Sequence, residues 1–168
     1  MTINNGHLNA EEYRALRKVL GFSQQEAQNF HGLKNIRTIQ QWEKGNNTTS
    51  ACACQKILSL MNTTAEYIKD KFFEFRQHRS QPAIFLSYND NEDFKYIAPI
   101  IKEFNTLSVY KMTVYRAYVE ALSRNFDAHI VIFNKEDFES YLVALNVEDS
   151  LQTRENWARL HFLKYKRL

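Results

Sequence analysis

The sequence predicts an α+β protein, in which an all-helical N-terminal domain is followed by a small α/β domain. Three observations predict this class. Apolar residues recur at helical spacing through the first 78 residues, and Ser80-Gln81-Pro82 then interrupts the pattern. Beyond it, short apolar runs that suit strands alternate with helical segments. We place the boundary at residue 80, so residues 1–79 form a domain of four to five helices and residues 80–168 a domain of about three strands.

Capping boxes mark the first two helices. Asn9 is followed three residues later by Glu12, and Ser23 is followed by Glu26 in the same way. In a capping box the first side chain accepts a hydrogen bond from the backbone of the third helical residue, whose acid reaches back. Gly21 marks the end of the first helix. Two short helices are therefore expected before residue 32.

The rest of the N-terminal domain reads as three more helices after a tight turn at Gly32. They are expected at about residues 35–45, 51–61 and 65–78. The break between the last two is placed at Thr63 or Thr64, because a threonine can cap a new helix.

The C-terminal domain is expected to alternate strands and helices. The strands are placed at residues 83–88, 108–114 and 128–133, and the helices at 94–104, 115–124 and 135–143. The segment from residue 146 gives no clear pattern, and its Trp157, Leu160 and Phe162 are expected to be packed.

Charge is unevenly distributed along the chain. Residues 1–80 carry 11 Lys and Arg against 7 Asp and Glu, whereas residues 81–168 carry 11 against 12. A basic half beside a near-neutral half suits a module that binds a polyanion. No membrane contact is expected, because the chain has neither a run of 18 apolar residues nor an apolar signal core at its start. Cys52 and Cys54 are interpreted as packing residues of a helix, and the expected compartment is the reducing cytoplasm.

The second and third helices, with the turn between them, suit a helix-turn-helix that reads DNA. If Ile39 points inward, Ile36 and Trp42 share its face at 100° per residue. The opposite face then carries no acid, whereas Glu43 lies near the buried side. The first helix of the pair would bring its N-terminus to a phosphate through free backbone N–H groups at Ser23 and Gln24. The predicted DNA-binding residues are Ser23, Gln24, Lys34, Asn35, Arg37, Thr38, Gln40, Gln41 and Lys44.

Residue types on this face match base and phosphate chemistry. Arginine bonds guanine O6 and N7 with two hydrogen bonds, and glutamine bonds adenine N6 and N7. We therefore assign Arg37, Gln40 and Gln41 to base contacts and Lys44 to a phosphate. A solvated amphipathic helix is the alternative, although such helices usually mix acids with bases.

Three stretches resemble the Cro/repressor-type (Xre-like) helix-turn-helix: Leu16-Arg17, Gly21–Ala27 and Thr38–Gly45. The segment from Ala27 to Trp42 is about two residues longer than the commonest Xre pattern. This longer spacing resembles a narrower group, the YdiL-like proteins and the anti-CRISPR-associated autoregulators. The resemblance is strong over about residues 8–62 and weaker over 83–133.

That resemblance implies a function and a partner. Members of the group are homodimeric repressors of their own operons that bind inverted repeats, and the arginine on which they depend corresponds to Arg37. The region matching residues 83–133 dimerises them. We therefore expect a dimeric autorepressor that binds an inverted repeat of double-stranded DNA in its own promoter.

Two alternatives stay open for the partner. In the first, the chain is an antitoxin or another protein-interaction module whose helix-turn-helix only autoregulates, with an aromatic-rich C-terminal half that binds a protein. In the second, the regulator also binds RNA, since a basic helical face does not separate the two polymers cleanly.

An enzyme is the third class considered. Asp90, Glu92 and Asp93 follow a predicted strand, but a solvated turn explains them as well. No glycine-rich phosphate loop or nucleophile elbow is found, and Cys52-Ala-Cys54 lacks the second pair that a zinc site needs. We expect no catalysis, no cofactor and no metal.

Overall fold

Helices dominate the computed structural model, which describes residues 7–78, 80–95, 104 and 106–165. Over these residues eight helices accompany a parallel two-stranded sheet, so the predicted α+β class is confirmed. The elements are α1 (Ala10–Val19), α2 (Gln24–His31), α3 (Arg37–Glu43), α4 (Ala51–Gln77), β1 (Ala83–Ser87), α5 (Asn91–Lys95), α6 (Leu107–Ser123), β2 (Ala128–Ile132), α7 (Lys135–Leu145) and α8 (Leu151–Tyr165).

Both predicted capping boxes are present. The backbone N–H of Glu12 donates to the Asn9 side chain at 2.9 Å, and the Glu12 carboxylate accepts from the Asn9 backbone at 2.8 Å. Ser23 and Glu26 repeat this exchange at 3.1 and 2.8 Å. Each box satisfies two backbone donors that the first turn leaves without partners, which fixes where α1 and α2 begin.

One long helix replaces two predicted ones. The expected break at Thr63 or Thr64 is wrong, because α4 runs unbroken from Ala51 to Gln77. Thr63 donates its hydroxyl to the carbonyl of Ser59 at 3.2 Å, and Thr64 donates to that of Met61 at 2.8 Å. Bonded back to the preceding turn, these threonines continue a helix instead of capping a new one.

The chain packs as two compact units. The first comprises residues 1–67 and 103–112, and the second comprises residues 68–102 and 113–168. α4 and α6 each contribute residues to both units. Packing of this kind does not test whether residues 1–79 fold alone, so the domain boundary at residue 80 stays a prediction.

The core of the first unit joins α1, α2, α3 and the N-terminal part of α4. Tyr13, Ala27, Ile39 and Ile57 have no exposed surface. α3 packs against both α1 and α2. Burial of these side chains is the main force that holds the three short helices together, since helices of this length are marginal in isolation.

The sheet of the second unit has two parallel strands. β1 pairs with β2 in a register that sets Ala83 opposite Ala128 and Ser87 opposite Ile132. Four of the five β1 residues are buried, the continuous apolar pattern of a strand covered on both faces. α8 packs against β1.

The predicted strand at residues 108–114 is wrong, because this segment begins α6. Val109, Thr113, Ala117 and Ala121 are all buried and recur every four residues. That spacing places them on one face of a helix. β-Branched and aromatic residues gave the segment a strand-like composition, which tertiary packing overrides.

The helix predicted at residues 94–104 begins earlier. α5 starts at Asn91, and the Asp90 side chain accepts a hydrogen bond from the backbone of Asp93 at 2.9 Å. Residues 96–103 of that prediction lie outside the described residues.

The C-terminal segment of the chain forms two helices, α7 and α8. α7 agrees with the helix expected at 135–143, and α8 occupies most of the segment whose pattern was unclear. Trp157 is 3% exposed as expected, whereas Leu160 is 53% exposed, so its predicted burial is wrong. Phe162 stacks on His129 with ring centroids 4.2 Å apart. Within the second unit α8 also forms salt bridges to α4, Glu155 with Lys71 and Arg159 with Glu74.

Among the described residues, no helix combines the length and the apolar character needed to cross a bilayer.

Candidate nucleic-acid interface

A short turn joins α2 to α3. Gly32 ends α2 in the left-handed conformation with φ of 69°, which glycine adopts without strain. The backbone N–H of Leu33 donates to the carbonyl of Gln28. The side-chain NH₂ group of Gln28 in turn donates to the carbonyl of Leu33 at 2.8 Å. These bonds close the turn and fix the direction in which the chain enters α3.

α3 is capped by a residue that was predicted to bind DNA. The Asn35 side-chain oxygen accepts a hydrogen bond from the backbone N–H of Arg37 at 2.8 Å, whereas Ile36, next to the helix, makes no side-chain cap. The helix spans Arg37–Glu43, shorter than the predicted 35–45. The Asn35 NH₂ group makes no hydrogen bond to any described residue and is the group best placed to donate to a ligand. Asparagine just before a helix is typical of such a capping role.

The inner face of α3 is anchored by Ile39 and Trp42, as predicted. Ile39 is fully buried and Trp42 is 5% exposed. The Trp42 ring meets Tyr13 edge-on, with centroids 5.3 Å apart, and meets His31 in the same way at 5.7 Å. Such T-shaped contacts are favoured by the aromatic quadrupole. Trp42 therefore ties α3 to α1 and to the end of α2.

Glu43 is the second anchor of α3. Its carboxylate accepts hydrogen bonds from Arg17 of α1 and, at 2.8 Å, from the Gln24 side chain of α2. Arg14 donates to its backbone carbonyl. Burial opposes ionisation, but the bonds from Arg17 and Gln24 outweigh it and hold the pKa of Glu43 below its ordinary value. One buried carboxylate thus locks three helices together.

The outer face of α3 keeps its cations unneutralised. Lys34, Arg37 and Lys44 are exposed, and within the part of the chain that the structure describes none of them lies within 4 Å of a carboxylate. Thr38, Gln40 and Gln41 are half-buried beside them. The fold therefore brings these six predicted residues together on or beside one short helix, with positive charge and free amide groups.

The N-terminus of α2 differs from the prediction in one respect. The backbone N–H of Ser23, expected to be free, is held by the Glu26 carboxylate, and the Ser23 hydroxyl accepts from Glu26. The Gln24 side chain is engaged with Glu43, but its backbone N–H lies in the first turn, where no intrahelical acceptor exists. Gln24 is therefore the better candidate for a phosphate contact through the backbone.

His31 is a half-buried histidine at the end of α2. Both ring nitrogens are buried and make no hydrogen bond to any described residue, and the ring packs against Tyr13, Phe30 and Trp42. Burial lowers the pKa of His31 to about 4, and the charge of Lys56 adds to the effect. The neutral ring is therefore part of the packing beneath α3.

Mild acid should destabilise this packing. Between pH 6.5 and about 4 the unfolded chain protonates His31 while the folded chain does not, so stability that is complete above pH 6.5 falls with pH. At about 1.4 kcal/mol for each pKa unit, the loss approaches roughly 3 kcal/mol. Urea unfolding at pH 7.0 and 4.5 measures it.

Two variants isolate the contribution of His31. His31→Phe keeps a ring but cannot titrate, so its stability should fall less between these pH values than that of the wild type. His78→Ala removes an exposed histidine and should change nothing. Equal losses in the wild type and in His31→Phe would contradict the assignment.

The described residues contain no group of three or more His, Cys, Asp or Glu side chains placed to hold a metal ion. The expectation that no metal or cofactor takes part stays a prediction.

Comparison with known protein families gives one match. The Aca2/YdiL-like family model matches residues 8–126, well over half of the chain. The chain belongs to the Aca2/YdiL-like family. No curated protein matches the sequence. Membership confirms the YdiL-like part of the resemblance seen in the sequence and indicates a regulatory protein.

The Aca2/YdiL-like match includes every residue of the surface described above. It runs from α1 through α6, so the capping boxes, Trp42, Glu43 and the outer face of α3 all lie within it. β2, α7 and α8 lie beyond residue 126. The family assignment therefore applies to the candidate interface and not to β2, α7 and α8.

Proposed function

We propose that the chain is a sequence-specific DNA-binding regulator of the Cro/repressor type. In this proposal α2 and α3 form the helix-turn-helix, and α3 enters the major groove. The observation that carries the proposal is the outer face of α3. Arg37 is exposed there and unpaired among the described residues. The opposite face of the same helix is held in the core by Ile39 and Trp42. A rigid helix with unneutralised cations loses little conformational freedom when it meets a polyanion.

The proposal extends to the assembly and its target. A homodimer would set two copies of α3 about 34 Å apart, one turn of DNA, so the operator would be an inverted repeat. An inverted repeat in the promoter of the gene itself would make the protein an autorepressor. Sedimentation measures the dimer, and selection from random duplexes recovers the operator. A monomer at micromolar concentration, or selected sites without two-fold symmetry, would contradict this part.

Catalysis is not part of the proposal. Among the acidic residues that follow β1, Asp90 has a structural role, since its side chain caps α5.

Arg37→Ala should weaken binding to the selected operator by about 1–3 kcal/mol and relax specificity at one base pair. The guanidinium is the group that would bond guanine, and its exposure means that its loss leaves the fold intact. Fluorescence anisotropy with the operator and with each single-base variant measures both effects.

Two variants serve as controls. Lys44→Ala should weaken all duplexes alike and reduce the dependence of affinity on salt by about one ion, because a phosphate contact carries no sequence information. Arg76→Ala removes an equally exposed arginine from α4 and should have no effect. If a folded Arg37→Ala protein binds the operator as tightly as the wild type, the recognition face is wrong. Stronger competition by RNA hairpins than by duplex DNA would favour an RNA-binding regulator instead.

A further inference from the structure

A cleft of about 640 Å³ lies within the first unit, between α2 and α4. Glu26 and Phe30 of α2 line one wall, and Lys56, Ser59, Leu60 and Thr63 of α4 line the other. Its volume is in the range of small-molecule sites. Its lining combines two apolar residues, Phe30 and Leu60, with six polar or charged ones. The outer face of α3 does not contribute to it.

The two walls carry opposite charges that do not neutralise each other. Lys56 is exposed, and within the described residues it has no carboxylate within 4 Å. The partners of Glu26 are neutral: the Ser108 hydroxyl at 2.5 Å and the backbone N–H of Ser23 at 2.8 Å. Each carboxylate oxygen accepts one of these bonds and has capacity for a second.

Glu26 is ionised in the folded protein. Burial opposes its charge, but the hydrogen bonds from Ser108 and Ser23 outweigh that effect and hold the pKa of the carboxyl below its ordinary value. The cleft thus presents a fixed anion on α2 and a free cation on α4, with Phe30 and Leu60 as apolar surface.

We propose that this cleft binds a small dipolar molecule that carries an ammonium group and a carboxylate on an apolar body, such as a free apolar amino acid. The ammonium group would lie on Glu26 and the carboxylate on Lys56. Phe30 and Leu60 would contact the apolar part, and the hydroxyls of Ser59 and Thr63 would offer further hydrogen bonds. A ligand with both charges neutralises both walls at once, which a simple anion or cation cannot do.

A ligand bound in the cleft would affect the candidate DNA surface through Glu26. This residue closes the capping box with Ser23 at the N-terminus of α2, next to Gln24. Its negative charge repels a phosphate at that helix end, and a bound ammonium group removes the repulsion. The ligand should therefore raise DNA affinity several-fold, a consequence that rests on the proposed DNA-binding function.

Calorimetric titration of the full chain without DNA tests the site. The probes are L-leucine, leucinamide, which lacks the carboxylate, and 4-methylpentanoate, which lacks the ammonium group. Leucine should bind, and each truncated probe should bind at least about tenfold more weakly, since one charge-assisted hydrogen bond is worth more than 1.4 kcal/mol. Absence of heat for leucine at millimolar concentration, or equal affinity for all three probes, overturns the proposal.

A pair of variants on α4 assigns the carboxylate end. Lys56→Ala should weaken leucine about tenfold and leave leucinamide unchanged, because only the carboxylate contact is lost. Gln55→Ala changes an exposed neighbour that does not line the cleft and should bind leucine like the wild type. Wild-type affinity of Lys56→Ala for leucine overturns the assigned geometry.

Operator binding with and without leucine tests the coupling to α2. A rise in affinity that needs about tenfold more leucine in Lys56→Ala than in the wild type supports it, and unchanged or reduced affinity in the wild type overturns it. If the wild type binds no DNA at all, the proposed function has failed, while the calorimetry still decides whether the cleft is a ligand site.

Discussion

Replacing Trp42 with alanine should unfold the first unit and not merely weaken DNA binding. The ring is 5% exposed and packs edge-on against Tyr13 and His31, so its removal leaves a cavity among α1, α2 and α3. Truncation of a buried tryptophan costs about 3–5 kcal/mol. Because small proteins are stable by only about 5–15 kcal/mol, this loss is a large share of the total.

Urea unfolding followed by near-ultraviolet circular dichroism measures the effect. Trp42→Phe keeps an aromatic ring in the same place and should recover part of the loss. Gln41→Ala, the adjacent half-buried residue, should alter stability by well under 1 kcal/mol while weakening DNA binding. A Trp42→Ala protein with wild-type unfolding would show that the ring is not part of the core.

Replacing Glu43 with alanine should be comparably damaging for an electrostatic reason. The Arg17 side chain is 10% exposed and the Glu43 side chain 6%, so the change strands a buried guanidinium without its carboxylate. Breaking a buried ion pair from one side costs about 3–5 kcal/mol. The Gln24 side chain also loses its acceptor, which loosens α2 against α3.

A double variant separates this mechanism from a simple loss of packing. Arg17→Met combined with Glu43→Leu removes both charges and should be more stable than Glu43→Ala alone, since no charge remains buried. Glu11→Ala, which breaks the exposed pair with Arg14, should cost no more than about 1 kcal/mol. A double variant that is less stable than Glu43→Ala would mean that the charge is not the cause.

The stability contributed by Glu43 and the stability contributed by His31 depend differently on pH. The pKa of Glu43 is lowered in the folded state, so its contribution is complete above the ordinary pKa of a glutamate and is lost as pH falls through the folded value. The contribution of His31 begins to fall near pH 6.5. As pH falls, the stability that depends on a neutral His31 should therefore begin to be lost at a higher pH than the stability contributed by the bond between Arg17 and Glu43.

Local signals in the sequence predicted the starts of α1 and α2 and the burial of Ile39 and Trp42. A capping box involves four consecutive residues, and a helix face follows from periodicity, so neither depends on the rest of the chain. The position of Glu43 on the inner side also followed from periodicity. Its partners did not, because Arg17 and Gln24 lie 26 and 19 residues away in the sequence.

The errors arose where tertiary packing decides between local alternatives. Threonines that bond backward along α4 look the same in sequence as threonines that cap a new helix. The valines and tyrosine at the start of α6 favour strands in isolation, whereas burial that recurs every fourth residue, at Val109, Thr113 and Ala117, is typical of a helix. The capping role of Asn35 was likewise not foreseen, since a polar side chain at a helix start suits a cap and a DNA contact alike, and its DNA contact stays a prediction.

The seven-residue length of α3 limits how much information it can read. At 1.5 Å per residue the helix is about 10 Å long, which spans roughly three base pairs at 3.4 Å each. Two copies would then inspect about six base pairs and select one sequence in about 4,000, against a million or more competing sites in a genome. Under the proposed function, the remaining discrimination comes from contacts outside α3, such as Asn35, and from the deformability of base pairs that the protein does not touch, so selected operators should show sequence preferences between and outside the half-sites.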